Sequence, residues 1–325
     1  MASSKIFSTF SNSGVGMYAS YFGMQENPFN LNPDPRYFYL SPQHQEALNS
    51  LIYGINEKKG FMLITGGIGN GKTTLCRTLL ARLDGTVESA LIFNSALSDL
   101  ELLQTINQEF GIAVKRGRQT KKRCLDALNE FLLKNYAAGK QALLMIDEAQ
   151  NLSLNVLEQV RMLSNLETDR EKLLSIVLMG QPELRELLAL PSLRQLNERI
   201  TVRYDLKPLD RANVQTYIEY RLTMAGGMDR VQFSREAYNL IYRCSEGNPR
   251  RINALCDRAL LIAYTQDVSA IDRKIVKKAV KDVGETYFFS NGRRAAVSRF
   301  MPAPFWVILS LALLVTGLLL LNFLK

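Results

Sequence analysis

Eight consecutive residues, Gly66-Gly67-Ile68-Gly69-Asn70-Gly71-Lys72-Thr73, constrain this chain more than any others. They match the pattern G-x-x-x-x-G-K-[ST], a loop whose glycines let backbone N–H groups converge on phosphate oxygens. The helix that follows directs the positive end of its dipole at the same point. The apolar run Phe61-Met62-Leu63-Ile64 reads as a buried strand feeding the loop, and Leu75, Leu79 and Leu80 give the next segment a helical apolar face. The loop therefore predicts a bound nucleoside triphosphate, with Lys72 reaching the β- and γ-phosphates and the Thr73 hydroxyl holding Mg²⁺. Thr74, next in the same turn, joins the expected binding set.

Hydrolysis needs a second, carboxylate element. The run Ala142-Leu143-Leu144-Met145-Ile146 followed by Asp147-Glu148 has the form of a Walker B strand. Asp147 is expected to hold Mg²⁺ through water and Glu148 to polarise the attacking water as general base. The distance in sequence from Lys72 leaves room for one intervening strand, so this is the third strand. In a parallel α/β sheet both motifs then lie at the carboxyl ends of strands, where ligands bind.

Further strands are expected over 90–93, 174–179 and 200–204, separated by helical patterns, which is the signature of a five-strand parallel sheet covered on both faces. A helix is expected from about Pro42 to Glu57, and residues 21–41, rich in aromatics and prolines, are expected to wrap the core as irregular structure. From Asp210 the pattern is helical only, with starts near Asp210, Ser234 and Ser269 and a break at Gly247-Asn248-Pro249. The expected organisation is a mobile arm over 1–20, a nucleotide-binding core over 21–209, a helical lid over 210–284, a basic linker over 285–304 and a transmembrane helix over 305–324.

That last expectation rests on the stretch from Phe305 to Leu324, which has no charged residue and is long enough at 1.5 Å per residue to span about 30 Å of hydrocarbon. Trp306 has the place of an interfacial anchor. Arg293, Arg294 and Arg299 precede the stretch, and only Lys325 follows it, so the positive-inside rule keeps the N-terminal part in the cytoplasm. Residues 1–20 have no long apolar run and do not read as a signal peptide.

The formal net charge is +9. The densest basic cluster, Lys115, Arg116, Arg118, Lys121, Lys122 and Arg123, is open to three readings: a solvated face, contact with anionic lipid or an acidic partner, or contact with nucleic acid. It has no aromatic residue for base stacking. Cys76, Cys124, Cys244 and Cys256 have no C-x-x-C spacing and read as buried reduced thiols. His44 is the single histidine, which excludes His-cluster metal sites and Ser-His-Asp chemistry; it is either structural or close to the bound base.

Tyr21-Phe22-Gly23, Asn27-Pro28-Phe29, Pro33-Asp34-Pro35-Arg36, the phosphate loop with Thr74-Leu75-Cys76-Arg77, Asp147-Glu148-Ala149-Gln150-Asn151-Leu152, Leu163-Ser164-Asn165-Leu166-Glu167, Gly180-Gln181-Pro182-Glu183-Leu184 and Gly247-Asn248-Pro249-Arg250-Arg251-Ile252-Asn253 together carry a family resemblance. From about Tyr21 to Val283 the chain resembles the AAA+ ATPases of the general secretion pathway, the ExeA/GspA type, with related ATPases of pilus and exopolysaccharide loci. The resemblance implies a five-strand AAA+ core with a helical lid, ATP and Mg²⁺ as ligands, and work as a homo-oligomer. It implies a sensor 1 role for Gln181, which either orients water or senses the γ-phosphate, and a sensor 2 role for Arg250. It implies an arginine finger at Arg199, with Arg194 as the alternative.

Secretion members of this type carry a periplasmic peptidoglycan-binding domain after the membrane segment, whereas this sequence stops at Lys325. The expectation is a single-pass ATPase of the bacterial inner membrane that drives or regulates assembly of a secretion or envelope-polysaccharide export machine through membrane-protein partners. Two other readings stand beside it. One is a DNA-binding AAA+ regulator of the transposition-ATPase type, with nucleic acid as partner; the other is a slow nucleotide switch acting as scaffold.

Overall fold

The computed structural model describes residues 17–287 apart from 33, 94–96, 114–119 and 170. The stretch 305–324 and its basic linker lie outside the described residues, as do Lys115, Arg116 and Arg118. Among the described residues no helix is long and apolar enough to cross a membrane.

Five parallel strands form the central sheet: β1 (Phe61–Gly66), β2 (Val87–Ile92), β3 (Gln141–Ile146), β4 (Ser175–Gly180) and β5 (Ile200–Leu206), in the order β2-β3-β4-β1-β5. Every residue of β1 and β4 is buried, as expected of inner strands covered on both faces. Side-chain alternation divides them between two cores. Phe61, Leu63, Leu144, Ile146, Ile176 and Leu178 point to the face covered by α4 (Asp99–Glu109), α5 (Lys121–Ala137), α6 (Leu154–Leu163), α7 (Glu183–Leu188) and α8 (Arg194–Arg199). Met62, Ile64, Leu143, Met145, Val177 and Met179 point to the other face, under α2 (Pro42–Asn56) and α3 (Lys72–Arg82).

The helical region after the sheet comprises α9 (Arg211–Met224), α10 (Arg235–Ser245), α11 (Pro249–Thr265) and α12 (Arg273–Tyr287). Two departures from expectation occur here. A two-residue parallel pair, β6 (Gln232–Phe233) with β7 (Ala270–Ile271), interrupts the helices, so the last one begins at Arg273 rather than near Ser269. The second concerns the arm expected over 1–20: its residues 17–20 open helix α1 (Met17–Tyr21), with Tyr18 and Ala19 buried. Tyr18 donates to Asp257 of α11, and Phe22, Met24, Phe29 and Tyr37 share one core with Val214, Ile218, Leu255 and Ala259. The N-terminal segment thus packs on the lid helices. Arg221, buried in α9, ties it down through Nε to the Pro28 carbonyl at 2.5 Å and through Nη2 to the Asn30 carbonyl at 3.4 Å, while Nη1 donates to the Tyr217 hydroxyl of its own helix at 2.8 Å.

Three of the four cysteines are buried free thiols, and Cys244 is half-buried.

Candidate nucleotide site

The loop between β1 and α3 is built around left-handed backbone. Gly71, the N-cap of α3, has φ +91°, and a Cβ there would stand 3.0 Å from His44 Nε2. Three elements hold the loop from outside. Asn70 Nδ2 donates to the Leu206 carbonyl at 2.9 Å, at the end of β5. Asn248, N-cap of α11, donates from Nδ2 to the Ile68 carbonyl at 2.6 Å and to Asn70 Oδ1 at 3.1 Å, so the lid is fastened to the loop. From α2, His44 Nε2 lies 3.1 Å from the Asn70 carbonyl while Nδ1 lies 2.6 Å from Ser41 Oγ. A carbonyl only accepts, so Nε2 carries the proton and Nδ1 accepts from the serine. Burial holds the imidazole below its ordinary value, the Asn70 carbonyl pulling the other way. His44 is therefore a buried structural residue that also lines the nucleotide cavity.

Lys72 Nζ donates to the Gly66 carbonyl at 2.8 Å and the Gly67 carbonyl at 3.2 Å, folded back across the loop that phosphates would occupy. Burial lowers its pKa, against the opposing charges of Glu148, Asp147 and Glu183. Thr73 Oγ1 donates to Asp147 Oδ2 at 2.7 Å, and Asp147 Oδ1 accepts the Glu148 N–H at 2.9 Å. Asp147 is 2% exposed.

Because β4 lies between β1 and β3, a residue just past its end falls between the two motifs. Gln181 does so. Its Nε2 donates to Glu148 Oε2 at 3.2 Å, and Gln150 Nε2 donates to the same oxygen at 2.6 Å. Gln150 Oε1 in turn accepts the Gln181 N–H at 3.0 Å. Gly180 permits this: a Cβ there would lie 2.6 Å from Gln150 Oε1. Glu148 itself takes a left-handed conformation at φ +53°, an uncommon one for a residue with a side chain. Burial pushes that carboxyl up, but the two amide hydrogen bonds and the Lys72 charge together leave it below the ordinary glutamate value.

The loop, the lid and the N-terminal segment enclose a cavity of about 390 Å³, lined by Ile68, Gly69, Lys72, Thr73, Thr74 and Glu148 on the phosphate side. The remainder is a mixed wall, in which Tyr37, Phe38, Tyr39, Leu209 and Tyr217 supply rings and apolar surface suited to a base and Asn30, Asn32, Asp34, Arg221 and Asn253 supply polar groups. Arg250, exposed at the start of α11, reaches this cavity. Arg199 does not line it. Its Nη1 donates to Ser164 Oγ at 2.6 Å and Asn165 Oδ1 at 2.7 Å, at the end of α6. Arg194 is 80% exposed and pairs with Glu198 at 2.8 Å.

The donor set fits Mg²⁺: a threonine hydroxyl and a carboxylate in contact are hard oxygen ligands, and Mg²⁺ takes few protein ligands and completes its shell with phosphate and water. Among the described residues no three His, Cys, Asp or Glu side chains cluster as a metal cage. Sequence reasoning assigned no role to Gln150 or Asn248. The signals were present, an amide within the Walker B block and an Asn before Pro at a helix start, but their partners lie on other elements.

Fold, phosphate loop and carboxylate pair define a P-loop protein of the AAA class. Residues 55–188 match the AAA domain family model. Over 250 residues the sequence is 45% identical to general secretion pathway protein A of Aeromonas hydrophila, covering 77% of this chain and 45% of that protein. The chain is a GspA/ExeA-like AAA domain protein. It spans less than half the length of that relative. The fold is similar to that of the Aeropyrum pernix ORC2 protein in its ADPNP-ADP complexes, with TM-score 0.60 at 20% identity, covering 79% of this chain and 71% of that one. It is also similar to CDC6P from Pyrobaculum aerophilum, with TM-score 0.58 at 18% identity, covering 77% and 71%.

Proposed function

We propose that this protein hydrolyses ATP at the interfaces of a homo-oligomer. The observation that carries the reading is the Glu148 carboxylate, fixed by two amides beside the Thr73–Asp147 pair. On binding, the Lys72 ammonium exchanges the Gly66 and Gly67 carbonyls for β- and γ-phosphate oxygens, and the loop N–H groups take the remaining oxygens. Thr73 and Asp147 would hold Mg²⁺, which supplies charge neutralisation on the phosphates. Glu148 accepts a proton from the attacking water, and its low proton affinity keeps it ionised at neutral pH. Gln181, bonded to that carboxylate, orients the water. Arg250 closes over the phosphates from the lid, and Arg199, presented on α8 outside its own cavity, reaches a neighbouring subunit's nucleotide.

At the level of the cell, the proposal is a single-pass ATPase of the bacterial inner membrane, anchored by 305–324 and working on membrane-protein partners of a secretion or envelope-polymer system. The kinship with general secretion pathway protein A supports it. The test is ATP turnover of the full chain in lipid against protein concentration, for wild type, Lys72→Ala and Glu148→Gln. Turnover per subunit that climbs with concentration and is lost in both variants is expected. Turnover independent of concentration removes the oligomeric part; turnover surviving Glu148→Gln removes the assigned base.

A further inference from the structure

Helix α12 is written in pairs: Arg273-Lys274, Ile275-Val276, Lys277-Lys278, Ala279-Val280, Lys281-Asp282. Ile275, Val276 and Ala279 are buried against α10 and α11, and that apolar half accounts for the folding of the helix. The polar half does not need a single sign. Yet Arg273, Lys274, Lys277, Lys278 and Lys281 are all exposed together on the outer side. Like charges four apart, as at Arg273 and Lys277, Lys274 and Lys278, and Lys277 and Lys281, oppose helix formation. Arg273 and Lys274 also stand in the first turn, where the dipole favours acids; the acid at this end is Asp272, whose Oδ1 accepts the Ile275 N–H at 2.9 Å as a cap.

The neighbouring acid, Asp282, is taken by Arg258 at 2.8 Å. Among the described residues, no ion pair or hydrogen bond engages the five side chains. Three other surface lysines contrast with them: Lys121, Lys134 and Lys140 pair with Asp99, Glu130 and Glu88. Among the described residues this surface costs helix stability and finds no acid to pair with, which suits an external polyanion.

We propose that this face of α12 lies on the anionic phospholipid surface of the membrane that 305–324 enters. The inference rests on the anchor reading above and names what the lid contacts there. After Tyr287 about 17 residues precede Phe305, a reach on the order of 60 Å when extended and about 20–25 Å as a coil. Arg293, Arg294 and Arg299 fall in that interval, so the basic charge runs from α12 to the apolar stretch in sequence. Each lysine or arginine at an anionic surface strengthens binding roughly fivefold. Since α12 packs on α11, and α11 begins with the residues that fasten the lid to the phosphate loop, lipid contact fixes the lid that closes the nucleotide cavity.

The experiment is amine acetylation of the full chain, read site by site by mass spectrometry. It compares phosphatidylcholine vesicles, vesicles with about 30% phosphatidylglycerol, and duplex DNA without vesicles. Slowing of Lys274, Lys277, Lys278 and Lys281 by about fivefold or more with phosphatidylglycerol, relative to Lys134 and Lys140, is expected, and it should be lost at about 1 M salt. Equal reactivity in both vesicles overturns the proposal. So does protection by DNA alone, which assigns the face to nucleic acid. Flotation with phosphatidylcholine reads the anchor separately: a chain that does not float there has lost the anchor reading, while protection by phosphatidylglycerol still reads the α12 face. Lys277→Glu with Lys278→Glu should abolish the protection of Lys274 and Lys281 and leave flotation with phosphatidylcholine unchanged.

Discussion

Thr73 Oγ1 donates to Asp147 Oδ2 at 2.7 Å, joining the first turn of α3 to the end of β3 across 74 positions of sequence. The two side chains share no strand pairing, since β4 lies between their strands. What brings them together is the common level at which parallel strands end. Asp147→Asn keeps an oxygen for the hydroxyl but removes the charge. Turnover should fall by about 10² or more, and the Mg²⁺ dependence of nucleotide affinity should flatten. A magnesium titration of nucleotide binding checks this; an unchanged midpoint would show that the pair does not hold the cation.

Gln150 is one of three groups, with Gln181 and Lys72, that hold the expected base ionised against its burial. Its amide bond to Glu148 is the shorter of the two that lower the carboxyl, and it acts against burial. Gln150→Leu removes that donor, so the proton affinity of Glu148 rises and the acidic limb of the kcat profile moves to higher pH. The neutral-pH rate should fall by about tenfold, less than the 10²–10⁴ expected for Glu148→Gln. A pH–rate series to saturating ATP decides it, and an unmoved acidic limb would separate Gln150 from the base.

The parts of this site legible in sequence are those with local grammar. The phosphate loop and the Asp147-Glu148 pair are short patterns tied to one strand end each, and the buried strands announce themselves as apolar runs. The edge strand β2 begins earlier than expected because Val87-Glu88-Ser89 alternates rather than forming a run. The two-residue β6–β7 pair is too short to leave a period. Most of what was missed is long-range: Tyr18 and Phe22 belong to the lid only because α9 and α11 lie against them, and Gln150 reaches Gln181 only because β4 neighbours β3.

His44 gives stability a pH dependence with a defined sign. Its folded value lies below the ordinary 6.5, chiefly by burial. Between the two values the unfolded chain binds more protons, so stability is complete above about 6.5 and is lost as pH falls through the folded value. The slope for one such group is at most about 1.4 kcal/mol per pH unit. Thermal unfolding midpoints from pH 8 down to about 5 should show the decline, and His44→Gln, which retains a donor for the Asn70 carbonyl without titrating, should flatten it. An identical decline in the variant would assign it to other groups.

Arg199 is held by Ser164 and Asn165 at the end of α6 and contributes nothing to the lining of its own cavity, an arrangement that suits action on a second subunit. The trans assignment has a consequence that no single variant displays. Arg199→Ala should cut turnover by about 10³ or more, because charge developing on the transferred phosphoryl group loses its arginine. Glu148→Gln should also be inactive, for a different reason: the site lacks its base. In a mixed oligomer, however, an interface with the cavity of an Arg199→Ala subunit and the arginine of a Glu148→Gln subunit has both groups. Equal mixing should therefore restore about a quarter of wild-type turnover, the share of such interfaces in random assembly, if interfaces act independently. A residue acting in cis predicts no recovery, since every subunit then carries one defect. Repeating the mixture with Arg194→Ala in place of Arg199→Ala separates the two candidates. Arg194 has only its helix neighbour Glu198 as an ion-pair partner among the described residues. Its loss should leave turnover near wild type, and recovery specific to the Arg194 mixture would transfer the finger to that residue.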